Sequence, residues 1–478
     1  MVLTPVQQTS IQKSQQQQSA DDARVSAMKD AWDAFYGRFP KPLVVRNGAD
    51  DNVVDNLLRT PVLKGVAALF GKELKFEIAD DAPITDAQRE AMQAWLDKCW
   101  KFNKKAITLK KWGLTSAVCG TGYLKVVPGK PYPRIIVQDP TMVSVQSSPD
   151  DIETPVGFQV TWTGYDASAS QMDYREVTIQ APSGLSWLII RQERTHGSAT
   201  ALAWTTTNSA QWPYPWPPIH WNQNLPAPNS FYGMSDISPD IIQLNKDRNF
   251  ILSNAARIIR FHAHPKTWAK GLRAEQLQVA IDETIILNNK DADIGNLEMK
   301  SDLHSSMQFA QMLAESIQGL TQVPAITTGA NLDTIPRVTS GVALVILHQP
   351  LIDKTTDKQE TYGDTLEQLN SHLLELGGYP PGIEVNNHWQ NVMVRDDLME
   401  AQVAQLVDSM GLASKETLST GMGYDWDEEQ ERMQNEAQQA MANNNAGFGV
   451  DPLAQQFGKQ PLPPEGQPLV QMPTGGQP

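Results

Sequence analysis

The sequence predicts an α+β protein with more than one lobe, and three observations carry that reading. Residues 238–320 hold two amphipathic helical patterns around a short mixed segment. Residues 141–222 alternate apolar with polar residues between Pro and Gly, the mark of an antiparallel β lobe. A long helical pattern runs on from Val342. At 478 residues the chain also exceeds what one core usually supports.

Residues 1–22 are Gln-rich without a periodic apolar stripe, and read as a disordered arm that orders only in an assembly. A helix is expected over Ala23–Tyr36. Asn52–Phe70 carries a broad apolar surface and reads as a helix pair broken at Pro61. Leu74–Ile78 suits a strand. Thr85–Phe102 is helical, opening at Thr85-Asp86, with Met92, Trp95, Leu96 and Trp100 on one side. Ile107–Val118 continues helically. Gly120-Thr121-Gly122 then opens strands near Tyr123–Val127 and Arg134–Gln138. In the β lobe, Val143, Val145, Phe158, Val160, Trp162, Val177, Ile179, Trp187 and Ile190 mark the apolar positions. Trp204, Trp212 and Trp216 fall in a Thr-, Trp- and Pro-rich stretch whose reading is aromatic packing at subunit contacts rather than a glycan platform.

Ser238-Pro239-Asp240 is a helix start: a hydroxyl N-cap, a proline at the first helical position and an acid in the first turn. The stripe that follows includes Ile241, Leu244, Ile251 and Ile258. Asn245, Lys246, Asp247, Arg248, Asn249, Arg257 and Arg260 lie on other faces. From Pro265 to Lys300 the expectation is a short segment at Thr267-Trp268, a small helix near Ala274–Ile281, and strands at Thr284–Leu287 and near Leu297–Lys300. A second helix opens at Ser301-Asp302 with Leu303, Met307, Ala310, Leu313, Ile317 and Leu320 in its stripe. Thr321–Ser340, rich in Pro, Thr, Gly and Asn, is a loop projecting into water. The last long helix contains Pro350, where a kink or break is expected.

This order of elements resembles the portal proteins of tailed double-stranded DNA phages. So do Ala117–Val126 with Ile136–Pro140, and Asn229-Ser230-Phe231-Tyr232-Gly233-Met234-Ser235-Asp236-Ile237 just before the first long helix. The resemblance implies a portal fold: a mixed α/β wing (23–233), two stem helices (234–264 and 301–320), a small α/β clip (265–300), and a tunnel loop (321–340). A long kinked wing helix (341–379), a helical crown (380–443) and a disordered tail (444–478) follow. It implies a ring, a dodecamer in this family, with stem packing through Ile241, Leu244, Ile251 and Ile258. Gln322, Thr327, Thr328, Asn331, Thr334 and Arg337 would face DNA from the tunnel loop. Lys266, Trp268, Lys270 and Arg273 would form a clip docking surface. The implied partners are double-stranded DNA bound without sequence preference, the large terminase subunit, a head-completion adaptor, and the major capsid and scaffolding proteins. The implied location is the capsid vertex of the virion, after assembly in the host cytoplasm.

Composition limits the alternatives. The net charge of −15 is the wrong sign for a protein gripping nucleic acid over its whole surface, and suits a channel through which DNA slides. Between Pro381 and Val450 stand twelve acids against three bases. Two cysteines, Cys99 and Cys119, argue against a disulfide framework. No apolar run reaches the roughly 20 residues of a membrane helix, and the N-terminus lacks a signal pattern. Gly65–Lys72 fails as a phosphate loop because its spacing is one residue too long and Glu73 stands where Ser or Thr must bind magnesium. Gly120-Thr121-Gly122 lacks the third glycine of a dinucleotide fingerprint. His262 and His264 read as a polar helix end rather than metal ligands. Adjacent Asp396 and Asp397 point apart on a helix. The expectation is therefore no enzyme, no cofactor and no metal. A minor head protein and a nucleic-acid enzyme are the alternative readings.

Overall fold

The computed structural model describes residues 15–45, 50–197, 204–263, 266–270, 291, 293–297, 303–324, 341–390, 405–411, 414–421, 426 and 429–437. Two units form, residues 1–393 and 394–478. The expected helix at Ala274–Ile281, the strand at Thr284–Leu287, most of the 321–340 loop and the 444–478 tail lie outside the described residues.

The first unit mixes helix and sheet around three apolar cores. Helix α1 spans Gln15–Phe35 and α2 spans Arg59–Phe70. The first begins eight residues before the expected Ala23, since glutamine is a good helix former and nothing in Gln15–Asp22 stops the turn. The expected helix pair over Asn52–Phe70 is instead an extended stretch, 50–57, followed by one helix. Pro61 lies in that helix's first turn, where its missing N–H costs nothing. Strand β1 (Lys75–Ile78), helix α3 (Asp86–Phe102) and helix α4 (Lys105–Cys119) follow. At the start of α3, Thr85 and Gln88 form a capping box.

A three-stranded sheet takes the order β3–β2–β9, from β2 (Thr121–Val127), β3 (Arg134–Gln138) and β9 (Ile219–Gln223). The lobe between them is an antiparallel meander of five strands in sequence order: β4 (Val143–Ser147), β5 (Pro155–Tyr165), β6 (Gln171–Gln180), β7 (Trp187–Thr195) and β8 (Thr205–Trp212). Trp187, Trp212 and Trp216 are buried against Phe158 and Ile219 inside this chain. The Trp212 indole donates to the Trp216 carbonyl at 2.8 Å. Trp204 lies beneath Arg175 and Arg194. Thus Trp212 and Trp216 pack within the lobe itself, whereas Trp204 stays half-buried at its surface.

Helix α5 (Pro239–Ala263) leads to an antiparallel hairpin of β10 (Lys266–Lys270) and β11 (Asp293–Leu297), with Trp268 opposite Gly295. Helix α6 (Leu303–Thr321) returns. Ile317, near its end, shares a core with Ile241 and Ile242 at the start of α5, so the two helices run antiparallel. Helix α7 spans Gly341–Leu376 without a break at Pro350. The carbonyl that Pro350 leaves unpaired belongs to Ile346, an exposed residue, so water replaces the lost bond.

Residues 380–390 do not open a separate helical region as expected. Strand β12 (Val385–His388) pairs with β1, and Ile383 and Val385 are buried in the core that also holds Leu69, Trp100, Leu366 and Leu373. That core is closed by elements more than 250 residues apart, as in the bond from the Trp100 indole to Asn370 Oδ1 at 2.7 Å. Within the second unit, helix α8 spans Lys415–Gly421.

Candidate functional site

The two stretches singled out in sequence, 117–126 and 229–237, lie side by side. Gly120 caps α4 in the left-handed region, with φ of 84°. A Cβ on it would stand 2.5 Å from the Gly233 carbonyl oxygen, so only glycine fits. Backbone bonds knit the seam: Asp236 N to the Ala117 carbonyl (2.8 Å) and Asn224 N to the Gly120 carbonyl (2.8 Å). The Ser235 hydroxyl donates to the Val118 carbonyl at 2.7 Å.

This seam delivers Asp236 into a fully enclosed polar cluster just before α5. Lys358 donates to its Oδ2 at 2.7 Å, and Lys354 approaches Oδ1 at 3.1 Å. Burial alone would raise the Asp236 carboxyl, yet Lys358 and Lys354 together hold it at about 2. Burial, with Lys354 beside it, pulls Lys358 below its ordinary value despite the carboxylate. Asn224 donates to Asp236 Oδ1 at 3.1 Å and accepts from the Tyr362 hydroxyl at 3.1 Å. Lys354 also donates to the Thr321 carbonyl at 3.1 Å. There it supplies the positive charge that a helix C-terminus favours. Three points thus meet at one carboxylate: the start of α5, the end of α6, and α7.

The face of α5 turned toward residues 51–57 is polar. Asn245 brackets the extended 50–57 stretch, donating to the Asp55 carbonyl (2.8 Å) and accepting from Leu57 N (3.1 Å). Asn249 accepts from Asp55 N (3.0 Å), and Ser253 accepts from Val53 N (2.9 Å). Arg257 and Arg260 both reach Asp51, at 3.2 and 2.8 Å. Sequence reading placed Asn245, Asn249, Arg257 and Arg260 off the apolar stripe and did not single out Ser253. Their recurrence every four residues, at 245, 249, 253 and 257, was the signal of one continuous polar stripe.

Of the expected packing residues, Ile241 is buried, whereas Leu244, Ile251 and Ile258 are half-buried. The exposed apolar residues of the α5–α6 pair are Phe250 and Ile259 on one helix and Met307, Phe309, Met312 and Leu320 on the other. Met307 and Leu320, counted in the core stripe by spacing, are among them. Trp268 and Lys270 are exposed on β10, and Lys266 begins that strand; Arg273 lies outside the described residues. Gln322 is exposed and left-handed at φ of 58°, immediately after α6. Thr327, Thr328, Asn331, Thr334 and Arg337 lie outside the described residues. Among the described residues no three His, Cys, Asp or Glu side chains gather as a metal site would require. A cleft of about 580 Å³ between α1 and the β lobe is lined mainly by Phe158, Val177, Ile179, Phe231 and Tyr232. No helix among the described residues is long and apolar enough to cross a membrane.

Solved structures with similar chains include the virion of a native gene transfer agent particle: 14% identity, 83% of this chain and 99% of that chain covered, TM-score 0.48. They also include the neck of a native gene transfer agent particle, computed with C12 symmetry: 14% identity, 77% and 92% covered, TM-score 0.45. A third is the neck of an empty particle computed with C6 symmetry: 14% identity, 77% and 90% covered, TM-score 0.47. No curated protein matches the sequence. A family described as "Phage portal protein, SPP1 Gp6-like" matches residues 233–443, the span that runs from Gly233 through α5, the hairpin, α6 and α7. Over that span the chain is similar to the phage portal proteins.

Proposed function

We propose that this chain is the ring-forming subunit of a portal at the unique vertex of a phage-like capsid, a channel for genome packaging and ejection. The observation that carries the reading is the antiparallel α5–α6 pair, which ends in a hairpin and exposes Phe250, Ile259, Met307, Phe309, Met312 and Leu320. Six large apolar residues on one two-helix unit exceed what scattered surface positions require, and they suit helix packing between subunits. A closed ring needs such heterologous contacts. Twelve copies are the count the family resemblance supplies.

In this reading α5 and α6 are stem helices lining the tunnel, and β10–β11 with Trp268 and Lys270 belongs to the clip. The clip would receive the large terminase subunit during packaging and the head-completion adaptor afterwards. The major capsid and scaffolding proteins would surround the ring. The net charge of −15 keeps DNA sliding, because each phosphate contact would add grip. Residues 321–340, with Arg337 as their single cation, would collar the DNA.

Electron microscopy of the purified protein tests the reading: rings with a central hole are expected, and a monomer or a closed shell at high concentration overturns it. Arg337→Ala is expected to leave ring assembly intact while lowering DNA retention in filled particles. Unchanged retention would remove Arg337 from the DNA-contacting set.

A further inference from the structure

We infer that the five-stranded β lobe is an open sheet that continues into a second copy of this chain, the outer edge of β8 pairing with the outer edge of β4. This rests on the ring proposed above and adds a second, backbone-mediated contact to it.

Strand β8 is built without a core. Every residue from Thr205 to Gln211 is exposed, and only Trp212 is buried. Exposure on both faces removes the usual reason for an edge strand to hold a regular register. Yet β8 is paired with β7 from Trp212 back to Thr205, through one irregularity at Arg191/Gln192. Its outer edge has no strand partner among the described residues. Edge strands that must stay single normally carry a lysine, a proline or an inward charge. Thr205-Thr206-Thr207-Asn208-Ser209-Ala210-Gln211 has none of these.

The opposite edge of the same sheet has the same character. Strand β4, Val143-Ser144-Val145-Gln146-Ser147, carries no charge and no proline, and among the described residues it pairs only with β5. Arg24 of α1 donates to the Val143 carbonyl at 2.8 Å, and Ser144–Ser147 line the cleft that α1 and Phe231–Tyr232 border. The remaining residues of the edge are half-buried or exposed.

Topology makes the two edges a matched pair. Each neighbour in the sheet is antiparallel and there are five strands, so β4 and β8 run in the same direction. A copy related by rotation about an axis along the strands therefore sets its β4 parallel to β8, with the same face of the sheet outward. The two edges are different surfaces of one subunit, as a head-to-tail ring contact requires. Strand addition of this kind draws affinity from main-chain bonds, so it tolerates the small polar side chains seen on β8.

Cross-linking across the seam tests this. Both native cysteines are buried, which leaves a quiet background. Asn208→Cys, combined in turn with Ser144→Cys, Val145→Cys and Gln146→Cys, is treated with a short bismaleimide in the full-length protein. At least one pair is expected to give a ladder of covalent multimers under denaturing conditions, with single variants giving none beyond dimers. Thr207→Lys, at an exposed position where it gives up one bond, from the hydroxyl to the Arg191 carbonyl at 3.2 Å, is expected to shift the ring–monomer equilibrium at least tenfold toward monomer by native mass spectrometry, with an unchanged circular dichroism spectrum. Rings that form normally, give no ladder and ignore Thr207→Lys overturn the seam while the ring stands. A wild-type chain that stays monomeric at every concentration overturns the ring and the seam together.

Discussion

His220 and His372 face each other across β9 and α7, ring nitrogens 2.7 Å apart. Trp216 stacks on His372 at 4.1 Å and donates to Glu375 at 2.6 Å. Burial pulls His372 down to about 4; burial and the neighbouring imidazole push His220 well below its ordinary value. Both rings are therefore neutral in the fold, whereas the unfolded chain takes up protons as pH falls through about 6.5. The unfolded state then binds more protons, so stability is flat above that pH and declines as pH drops toward 4. His372→Gln keeps a hydrogen-bonding group and removes one titration. Its melting temperature is expected to fall less than that of the wild type between pH 6.5 and 4, as differential scanning calorimetry can measure. The Asp236 carboxylate, held at about 2 in the fold, adds its own loss only below the ordinary aspartate value, so the two effects separate on the pH axis.

At the scale of elements, the stripe Asn245, Asn249 and Ser253 makes α5 behave like a sheet edge toward residues 53–57. Asn245→Ala would strand the Asp55 carbonyl and the Leu57 N–H, costing roughly 1–3 kcal/mol. Hydrogen exchange at residues 53–57 is expected to speed up first, ahead of the α5 amides themselves. Exchange that accelerates evenly over the unit would show that the stripe does not hold the segment. These contacts also mark where sequence was legible. The capping box at Thr85, the strand alternation of the β lobe and the α5–hairpin–α6 order are local patterns, and periodicity or cap chemistry gives them directly. The partners of Asn245 lie about 190 residues away, and no period encodes a bond across that distance. Pro61 misled because a proline reads as a break whether it stands inside a helix or in its first turn. Residues 380–390 misled because the acidic stretch after them set the reading of the whole span, whereas Ile383 and Val385 decide where it packs.

On the scale of the whole molecule, the exposed residues of α6 separate folding from assembly. Met312 is half exposed and is not one of the buried core residues, so Met312→Asp is expected to change monomer stability by no more than about 0.5 kcal/mol. In a ring the same aspartate would be buried unpaired, at a cost of several kcal/mol per subunit. Sedimentation should then find folded monomer in place of rings; intact rings would remove this face of α6 from the interface. Ile251 is a poorer probe than its spacing suggested, since it is already half-buried inside one chain and a charge there disturbs both steps.

The joining of Asp236, Thr321 and Lys354 has a consequence for how the chain is made. The two ends of the α5–hairpin–α6 excursion are pinned to one point on α7, which leaves that excursion as an insertion in a discontinuous body. The core beneath it takes Leu69 to Ile135 from before the insertion and Tyr362 to Val385 from after it. On the ribosome, therefore, the early segments wait for α7 and β12 to emerge before that core can close, and folding of the first unit is late and non-local. An insertion whose ends are clamped together can lengthen, shorten or change its tip without disturbing the body that carries it.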